Sequence, residues 1–220
     1  MGCRPAWPDS RGRAFGADGV SLPHRMRAIS LKSYFSEKLG IEDARIAPIV
    51  DRYSVRELEK QAFVLRAGEI CRHTFFVEQG LLRQYAIDKR GREHIVAFAP
   101  EGHFVADRES TYFHQPSEYF IQALEDSRIV LVDETIVESL TGEAPHFTAF
   151  NNRLLHNNIR HLQRRITSLL AATAEERYLE FVEAYPDLLS RVPQTMVASY
   201  LGITPETLSR VRRELAKKRR

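Results

Sequence analysis

The side chains most able to do chemistry in this chain lie near its end, between Gln194 and Leu215. Hydroxyl and guanidinium groups recur there on one outward side of a predicted helix, and such groups bind base edges and phosphate oxygens. These outward residues are Thr207, Ser209, Arg210 and Arg213. Residues 191–220 carry eight basic and two acidic side chains, whereas the whole chain has a net charge of only +3. This local excess attracts phosphate, so the segment indicates recognition of DNA.

Two short helices joined by a tight turn must position these groups. Apolar residues at helical spacing predict the buried side of the pair, and they are Val197, Leu201, Ile203, Leu208 and Val211. Small Ala198 allows the helices to cross closely, and Gly202 permits the positive φ of the turn. Thr204 is predicted to cap the second helix, Pro205 to occupy its first position and Glu206 to complement its dipole. The pattern predicts a helix-turn-helix.

Charge and hydrophobic patterning divide the rest of the chain. Residues 27–143 hold 15 basic and 20 acidic side chains, while residues 144–174 hold four arginines and no acid. Within the acidic body, a helical pattern from Ser30 to Gln61 precedes short runs rich in β-branched and aromatic residues. The turn DKRG, residues 88–91, separates two of these runs, and their even spacing predicts an antiparallel β-roll or barrel.

A long helix is predicted from Glu143 to Thr173. Its apolar residues follow approximate heptad spacing interrupted by an asparagine, which is typical of a two-stranded contact whose register a polar residue sets. The seam consists of Phe147, Phe150, Leu154, Asn158, His161 or Leu162, Arg165 or Ile166, and Leu169. We therefore expect a homodimer, the alternative being a single helix packed on its own sheet.

Helix, β-roll, long helix and terminal helix-turn-helix, in that order, resemble the family of the cyclic-AMP receptor protein and the fumarate–nitrate reduction regulator, which are bacterial transcription factors. The resemblance covers residues 29–218. The segments that carry it are VLRAGEICRHTFFVEQGLLRQYAIDKRGREHIVAFAPEG, YFIQALEDSRIVLVD and AEERYLEFVEAYPDLLSRVPQTMVASYLGITPETLSRVRREL. It implies an α+β fold: an N-terminal double-stranded β-helix (jelly roll) like that of cyclic-nucleotide binders, a long dimerisation helix and a C-terminal helix-turn-helix domain.

The predicted organisation has four parts. A flexible extension over residues 1–26, with Met26 as an alternative translation start, precedes a β-roll sensor over residues 27–142. A dimerisation helix over residues 143–170 then leads to a DNA-binding domain over residues 171–220. The sequence ends soon after the helix-turn-helix, so the β-hairpin wing of the family is expected to be absent or reduced.

The resemblance also implies roles for individual residues. Glu206 and Arg210 stand where family members read bases, the carboxylate accepting from a cytosine amino group and the guanidinium contacting guanine. Pro205 stands where some members have a base-contacting Arg, so part of the code is expected to differ. Gln194, Thr195 and Arg213 are assigned to phosphates. The full predicted DNA-binding set is Gln194, Thr195, Thr204, Pro205, Glu206, Thr207, Ser209, Arg210 and Arg213.

The predicted partners are double-stranded DNA, as a pseudo-palindromic operator, a second copy of the chain, and RNA polymerase.

The sensor cassette departs from cyclic-nucleotide binders, because Ala106-Asp107 stands where they have Gly-Glu and Ser117-Glu118 where they have Arg and then Ser or Thr. That Arg neutralises the cyclic phosphate, so its loss predicts no tight cyclic-nucleotide binding. A different small effector stays open, with candidate lining residues whose alternative role is core packing: Phe75, Phe98, Phe104 and Tyr119.

Two other functions remain open at this point. A ligand-independent regulator would use the roll only as a dimer scaffold or docking surface. A cupin-like metalloenzyme would share the roll, and four histidines lie in it, but no His-x-His pair is present to hold a metal. These histidines are His73, His94, His103 and His114. We expect no catalysis, no cofactor and no metal site.

Only two cysteines occur, which fits a reducing cytoplasm, and no apolar run is long enough to span a membrane.

Overall fold

The computed structural model describes residues 28–39, 42–133 and 145–218. Its strands are β1 (Ser54–Leu58), β2 (Phe63–Leu65), β3 (Thr74–Gln79), β4 (Leu82–Ile87), β5 (Glu93–Ala99), β6 (Phe104–Val105), β7 (Phe120–Ala123) and β8 (Ser127–Val132). Its helices are α1 (Leu31–Leu39), α2 (Asp43–Val50), α3 (Arg108–Phe113), α4 (Pro145–Ala171), α5 (Ala174–Ala184), α6 (Leu188–Arg191), α7 (Gln194–Leu201) and α8 (Pro205–Lys218). The predicted N-terminal extension, including Met26, lies outside the described residues.

The strands form two antiparallel four-stranded sheets that pack face to face. The first sheet has the order β1-β8-β3-β6 and the second has the order β2-β7-β4-β5. Because successive side chains of a strand point to opposite faces, neighbouring aromatics on β3 separate. Phe75 joins the core between the sheets, whereas Phe76 joins a cluster on the outer face of the first sheet. The predicted β-roll is therefore confirmed.

The predicted helical stretch up to Gln61 is wrong beyond α2. Residues 54–58 form β1, which pairs with β8 from Ser54 opposite Leu131 to Leu58 opposite Ser127. Within β1 only Leu58 is buried, and Val55 is 46% exposed. The strand thus lacks the alternation of apolar and polar residues that marks a half-buried strand, and its pairing with β8 decides its conformation.

Helices cover the outer faces of both sheets. On the first sheet, Leu31 and Phe35 of α1 and Phe147 of α4 pack against Phe76. On the second sheet, a single cluster joins residues of the roll to α5–α8, which we call the C-terminal helical domain (residues 174–218). The roll contributes Leu81, Tyr85, Ile95 and Phe98 to that cluster. The helix-turn-helix is therefore docked directly on the β-roll.

The long helix is confirmed, since α4 contains 27 residues, or about seven and a half turns. Its predicted seam is divided. Phe147 is buried against α1, with its ring 5.9 Å from that of Phe35, so the first turns pack on their own domain. Further along, α4 exposes apolar residues: Ile159, Leu162, Ile166, Leu169 and Leu170. No helix in the described ranges is long and apolar enough to cross a membrane.

Candidate nucleic-acid interface and sensor cassette

Gly202 makes the turn between α7 and α8. Its backbone is left-handed, with φ of +65°, and its N–H donates to the carbonyl oxygens of Ala198 and Ser199. A Cβ at this position would lie 3.1 Å from Cδ2 of Leu169 on the long helix. Both the backbone conformation and this close approach favour glycine, so the prediction for Gly202 is confirmed.

Thr204 caps α8, the second helix of the helix-turn-helix, as predicted. Its Oγ1 accepts a hydrogen bond from the backbone N–H of Thr207 at 3.2 Å, and Pro205 is the first residue of the helix. Hydrogen bonds from the backbone N–H of Glu206 itself and from the hydroxyl of Thr204 lower the pKa of the Glu206 carboxyl group. Glu206 is therefore ionised at neutral pH and acts as a hydrogen-bond acceptor.

Apolar contacts fix the angle between the two helices. Val197, Ala198 and Leu201 of α7 are buried together with Leu208 and Val211 of α8. Four of them belong to the predicted buried side, and Ala198 is the small residue predicted at the crossing. Ile203, the apolar residue of the turn itself, is half-buried against the same cluster. Because these side chains anchor one side of α8, its other side faces outward.

The outward side of α8 carries the predicted base-reading groups. Glu206, Arg210 and Arg213 are exposed and follow one another at intervals of four and three, which places them on one side of the helix. Of the predicted DNA-binding set, only Thr207 is half-buried, and its hydroxyl lies 3.2 Å from that of Thr204. Within the described ranges, no ion pair includes Arg210 or Arg213. Their charges are thus available to an external partner.

One arginine of α4 connects the roll to the helix-turn-helix. The guanidinium of Arg165 lies 3.7 Å from the ring centroid of Tyr200 on α7. Its Nη2 donates to the carbonyl oxygens of Ile95 at 3.3 Å and Tyr200 at 3.0 Å. The heptad pattern predicts either Arg165 or Ile166 on the dimer seam, but the side chain of Arg165 points to the helical domain. The spacing does not distinguish the two residues, because the carbonyl groups that Arg165 contacts, those of Ile95 and Tyr200, are distant from it in sequence.

Two further contacts dock α7 and α6 on the roll. The Ser199 hydroxyl accepts from the N–H of Ile95 at 3.0 Å and donates to the carbonyl oxygen of Glu93 at 3.1 Å. Arg191 pairs with Glu101 at 2.9 Å and with Glu125. Burial disfavours the charged guanidinium of Arg191, but its carboxylate partners raise its pKa overall. These contacts hold the helical domain by α6 and α7, while the outward residues of α8 stay exposed.

The sensor cassette contains its own anion. Asp107 is 5% exposed and caps α3, with Oδ1 accepting from the N–H groups of Glu109 at 3.1 Å and Ser110 at 3.2 Å. The hydroxyl of Ser117 donates to Oδ2 at 2.7 Å. These donors would favour a bound anion, but the Asp107 carboxylate already uses them. Asp107 and Ser117, which stand in place of phosphate-binding residues, therefore hydrogen-bond to each other.

The four candidate effector residues do not form one site. Phe75 lies in the core between the sheets, Phe98 packs against the helical domain and Phe104 packs near α1. These three therefore fill separate clusters, as the core-packing alternative predicts. Tyr119 is half-buried, and burial followed by the charge of Asp107 raises its pKa.

The histidines of the roll are also dispersed. Nε2 of His94 lies 3.0 Å from Oδ2 of Asp88, and Nδ1 of His103 lies 3.1 Å from the carbonyl oxygen of Glu101. The thiol of Cys71 donates to the carbonyl oxygen of His73 at 3.3 Å. Across residues 28–39, 42–133 and 145–218, no three His, Cys, Asp or Glu side chains are grouped so that they could hold a metal ion.

Known proteins resemble this chain in sequence. Residues 55–143 match the family of the cyclic nucleotide-binding domain. The fumarate and nitrate reduction regulatory protein of Vibrio cholerae is 30% identical over 167 residues, which are 71% of this chain and 66% of that protein. The anaerobic regulatory protein of Pasteurella multocida is 28% identical over 173 residues, 74% of this chain and 63% of that protein. The chain thus spans slightly less than two thirds of these relatives, which are regulatory proteins by name.

The fold is also found among solved structures. FixK2 from Bradyrhizobium japonicum superimposes with a TM-score of 0.64 over 76% of this chain and 85% of its own, at 21% sequence identity. At that identity the similarity concerns the fold alone. It confirms the succession of a β-roll, a long helix and a terminal helical domain.

Proposed function

This chain belongs to the family of the cyclic-AMP receptor protein and the fumarate–nitrate reduction regulator, and we propose that it is a dimeric regulator of transcription that binds DNA through α8. The observation that carries the proposal is the outward side of α8. Glu206, Arg210 and Arg213 are exposed together there on a capped helix, at a location where the chain is locally basic. Glu206 and Arg210 read base edges, and Arg213 contacts phosphate with Gln194 and Thr195 of α7.

The apolar residues exposed on α4 support a dimer. Ile159, Leu162, Ile166 and Leu169 follow intervals of three and four residues, and their exposures range from 39% to 57%. Such a stripe is the geometry of a two-helix contact, and burying it removes apolar surface from water. A twofold axis along this helix would present two copies of α8 to half-sites about 34 Å apart, on a pseudo-palindromic operator. RNA polymerase is the further partner expected there.

The sensor is proposed to respond to something other than a cyclic nucleotide. A cyclic phosphate entering the cassette would meet the buried carboxylate of Asp107, and Ser117 provides no positive charge. Like charges in a buried site repel strongly. Calorimetric titration with cyclic AMP and cyclic GMP is expected to show no binding in the micromolar range, and micromolar binding of either would overturn this part.

Selection of bound sequences from a DNA library by the purified full chain tests the proposed function. We expect enrichment of an inverted repeat whose half-sites are centred one helical turn apart, and protection of both half-sites in footprinting. The variant Arg210→Ala should lose or relax one base preference in each half-site, whereas Arg52→Ala, an exposed arginine on the roll, should select the same repeat. Failure of the wild-type chain to enrich any sequence would contradict the proposal.

A further inference from the structure

A cavity of about 320 Å³ lies between the second sheet and the C-terminal helical domain, and we call it the interdomain cavity. The roll contributes residues from β4, β7 and the loop between β1 and β2, while the helical domain contributes residues from α6 to the start of α7. Arg83 on β4 and Met196 on α7 approach each other across it, with Nη1 4.0 Å from the sulfur atom. A molecule in this cavity would contact both domains at once.

All charged side chains that line the cavity are basic. They are Lys60, Arg83 and Arg191, and the acidic partners of the two arginines do not line it. Arg83 is only 6% exposed and is oriented by Gln122, which accepts from its Nε at 3.1 Å and from its Nη2 at 2.7 Å. Arg83 is already paired with Glu93, and Arg191 with Glu101 and Glu125, so Lys60 is the cation that remains to attract an anion into the cavity.

Two of these groups retain unused hydrogen-bond donors. Nε of Arg191 is buried without a hydrogen-bond partner among the described residues. Lys60 takes part in no ion pair within the same ranges, although its backbone N–H donates to Asp126 at 2.8 Å. Nε of Arg191 is too buried for a ligand to reach, whereas the side chain of Lys60 is exposed and can donate to a carboxylate oxygen in the cavity.

The remaining lining is largely apolar and small. Ala123 and Leu124 line the cavity from the roll, and Pro193 and Met196 line it from the helical domain. The volume is at the low end of the range of about 300–1,000 Å³ that is typical of small-molecule sites. Cationic donors beside a compact apolar wall suit a ligand with one anionic end and a small hydrocarbon body.

We propose that the interdomain cavity binds a small monocarboxylate with a compact apolar body, which connects the β-roll to the helix-turn-helix. Its carboxylate pairs with Lys60, and its body lies against Leu124 and Met196. Since the ligand contacts both domains only when they are docked, it stabilises the docked arrangement by mass action. The site itself does not depend on the proposed function, but an effect of the ligand on DNA affinity does.

Calorimetric titration of the full chain tests the site directly, with benzoate and hexanoate as probes and benzamide as the uncharged counterpart of benzoate. We expect saturable binding of at least one carboxylate below about 10 mM, and at least about tenfold weaker binding of benzamide. Lys60→Gln should weaken carboxylate binding about tenfold, and Met196→Trp should abolish it by filling the space. Lys89→Gln, on the exposed β4–β5 turn, is the charge-matched control and should bind as the wild type does.

Absence of saturable binding by both carboxylates would overturn the proposal, as would an unchanged affinity in both Lys60→Gln and Met196→Trp. Hydrogen exchange then tests the connection between domains. Benzoate or hexanoate should slow exchange in both Phe120–Ala123 and Gln194–Leu201, and protection on one side only would contradict a bridging ligand. If the probes bind as expected while the chain binds no DNA, the site stands and the proposed function fails.

Discussion

The guanidinium of Arg165 lies over the ring of Tyr200, 3.7 Å from its centroid, and the same side chain donates to the carbonyl oxygens of Ile95 and Tyr200. One residue of the long helix thus holds both the roll and the first helix of the helix-turn-helix. Arg165 therefore helps to fix how α7, and with it α8, is oriented relative to the helix proposed to form the dimer.

Removing this side chain should loosen the docking of the helical domain. Arg165→Ala eliminates a cation–π contact and two hydrogen bonds from a charged group, so we expect it to cost about 1–3 kcal/mol of stability. Hydrogen exchange should become faster in Gln194–Leu201, and thermal unfolding should begin earlier. The neighbouring Arg164 is exposed, so Arg164→Ala provides the matched control. Equal effects of the two substitutions would contradict a specific role for Arg165.

Ser117 should be important for the stability of the sensor cassette. Ser117→Ala removes the donor to Oδ2 of Asp107 and leaves a buried carboxylate with fewer hydrogen bonds, which should cost about 1–3 kcal/mol. Urea unfolding measures this loss, with the exposed Ser190→Ala as the control. A loss confined to a few tenths of a kcal/mol, no greater than that of the control, would show that the Asp107–Ser117 contact is unimportant.

Patterns that are local in sequence predicted their elements correctly. The glycine of the turn, the threonine cap and the alternating runs of the roll each depend on neighbours a few residues apart. β1 was missed because Val55 is exposed and its pairing with β8 comes from the other end of the roll. The docking of the helical domain was missed for the same reason. Ser199 bonds to residues more than 100 positions away, and no spacing rule relates them.

The exposed stripe of α4 predicts a dimer that a single charge can disrupt. Ile166 is 57% exposed, so Ile166→Glu should leave the fold of the protomer intact. In the proposed dimer it would bury a carboxylate on each helix, which should weaken association at least about a hundredfold. Sedimentation velocity measures the change. Leu179 on α5 is 42% exposed and lies outside the stripe, so Leu179→Glu should leave association unchanged. A monomeric wild-type chain at micromolar concentration would contradict the dimer.

Asp88 should make the β4–β5 turn sensitive to acid. A hydrogen bond from His94, followed by bonds from Arg92 and Arg90, holds the pKa of its carboxyl group well below the ordinary value. The folded state therefore favours the ionised form, so this contribution to stability is present above about pH 4 and is lost as the pH falls towards the lower folded pKa. Asp88→Asn should unfold at a lower temperature than the wild type at pH 7, and this difference in unfolding midpoint should shrink below pH 4.

Thermal unfolding between about pH 2 and pH 7 measures the effect of Asp88. The exposed Asp51 provides the comparison, because Asp51→Asn makes the same change of charge outside the turn. A constant difference between Asp88→Asn and the wild type across this range would show that ionisation of Asp88 does not stabilise the turn.

The chemistry of α8 was more predictable from sequence than that of the sensor. The predicted base-reading residues Glu206 and Arg210 lie on one helix, and their exposure follows from Leu208 and Val211 on its opposite side. In the sensor, substitutions at Asp107 and Ser117 indicated only that a phosphate site had been lost. Their mutual hydrogen bond, and the cationic lining contributed by Lys60, become visible only when segments far apart in sequence are brought together.

The most direct test of DNA recognition by α8 is the affinity of Arg210→Ala for the selected operator and for operators with single base exchanges, measured by fluorescence anisotropy at fixed salt. Arg210→Ala is predicted to lose about 1–3 kcal/mol of binding free energy and to become insensitive to exchange of one base pair in each half-site. Arg52→Ala should retain both the affinity and the discrimination of the wild type. Wild-type affinity and undiminished discrimination in Arg210→Ala would contradict the assignment of α8 as the helix that reads DNA.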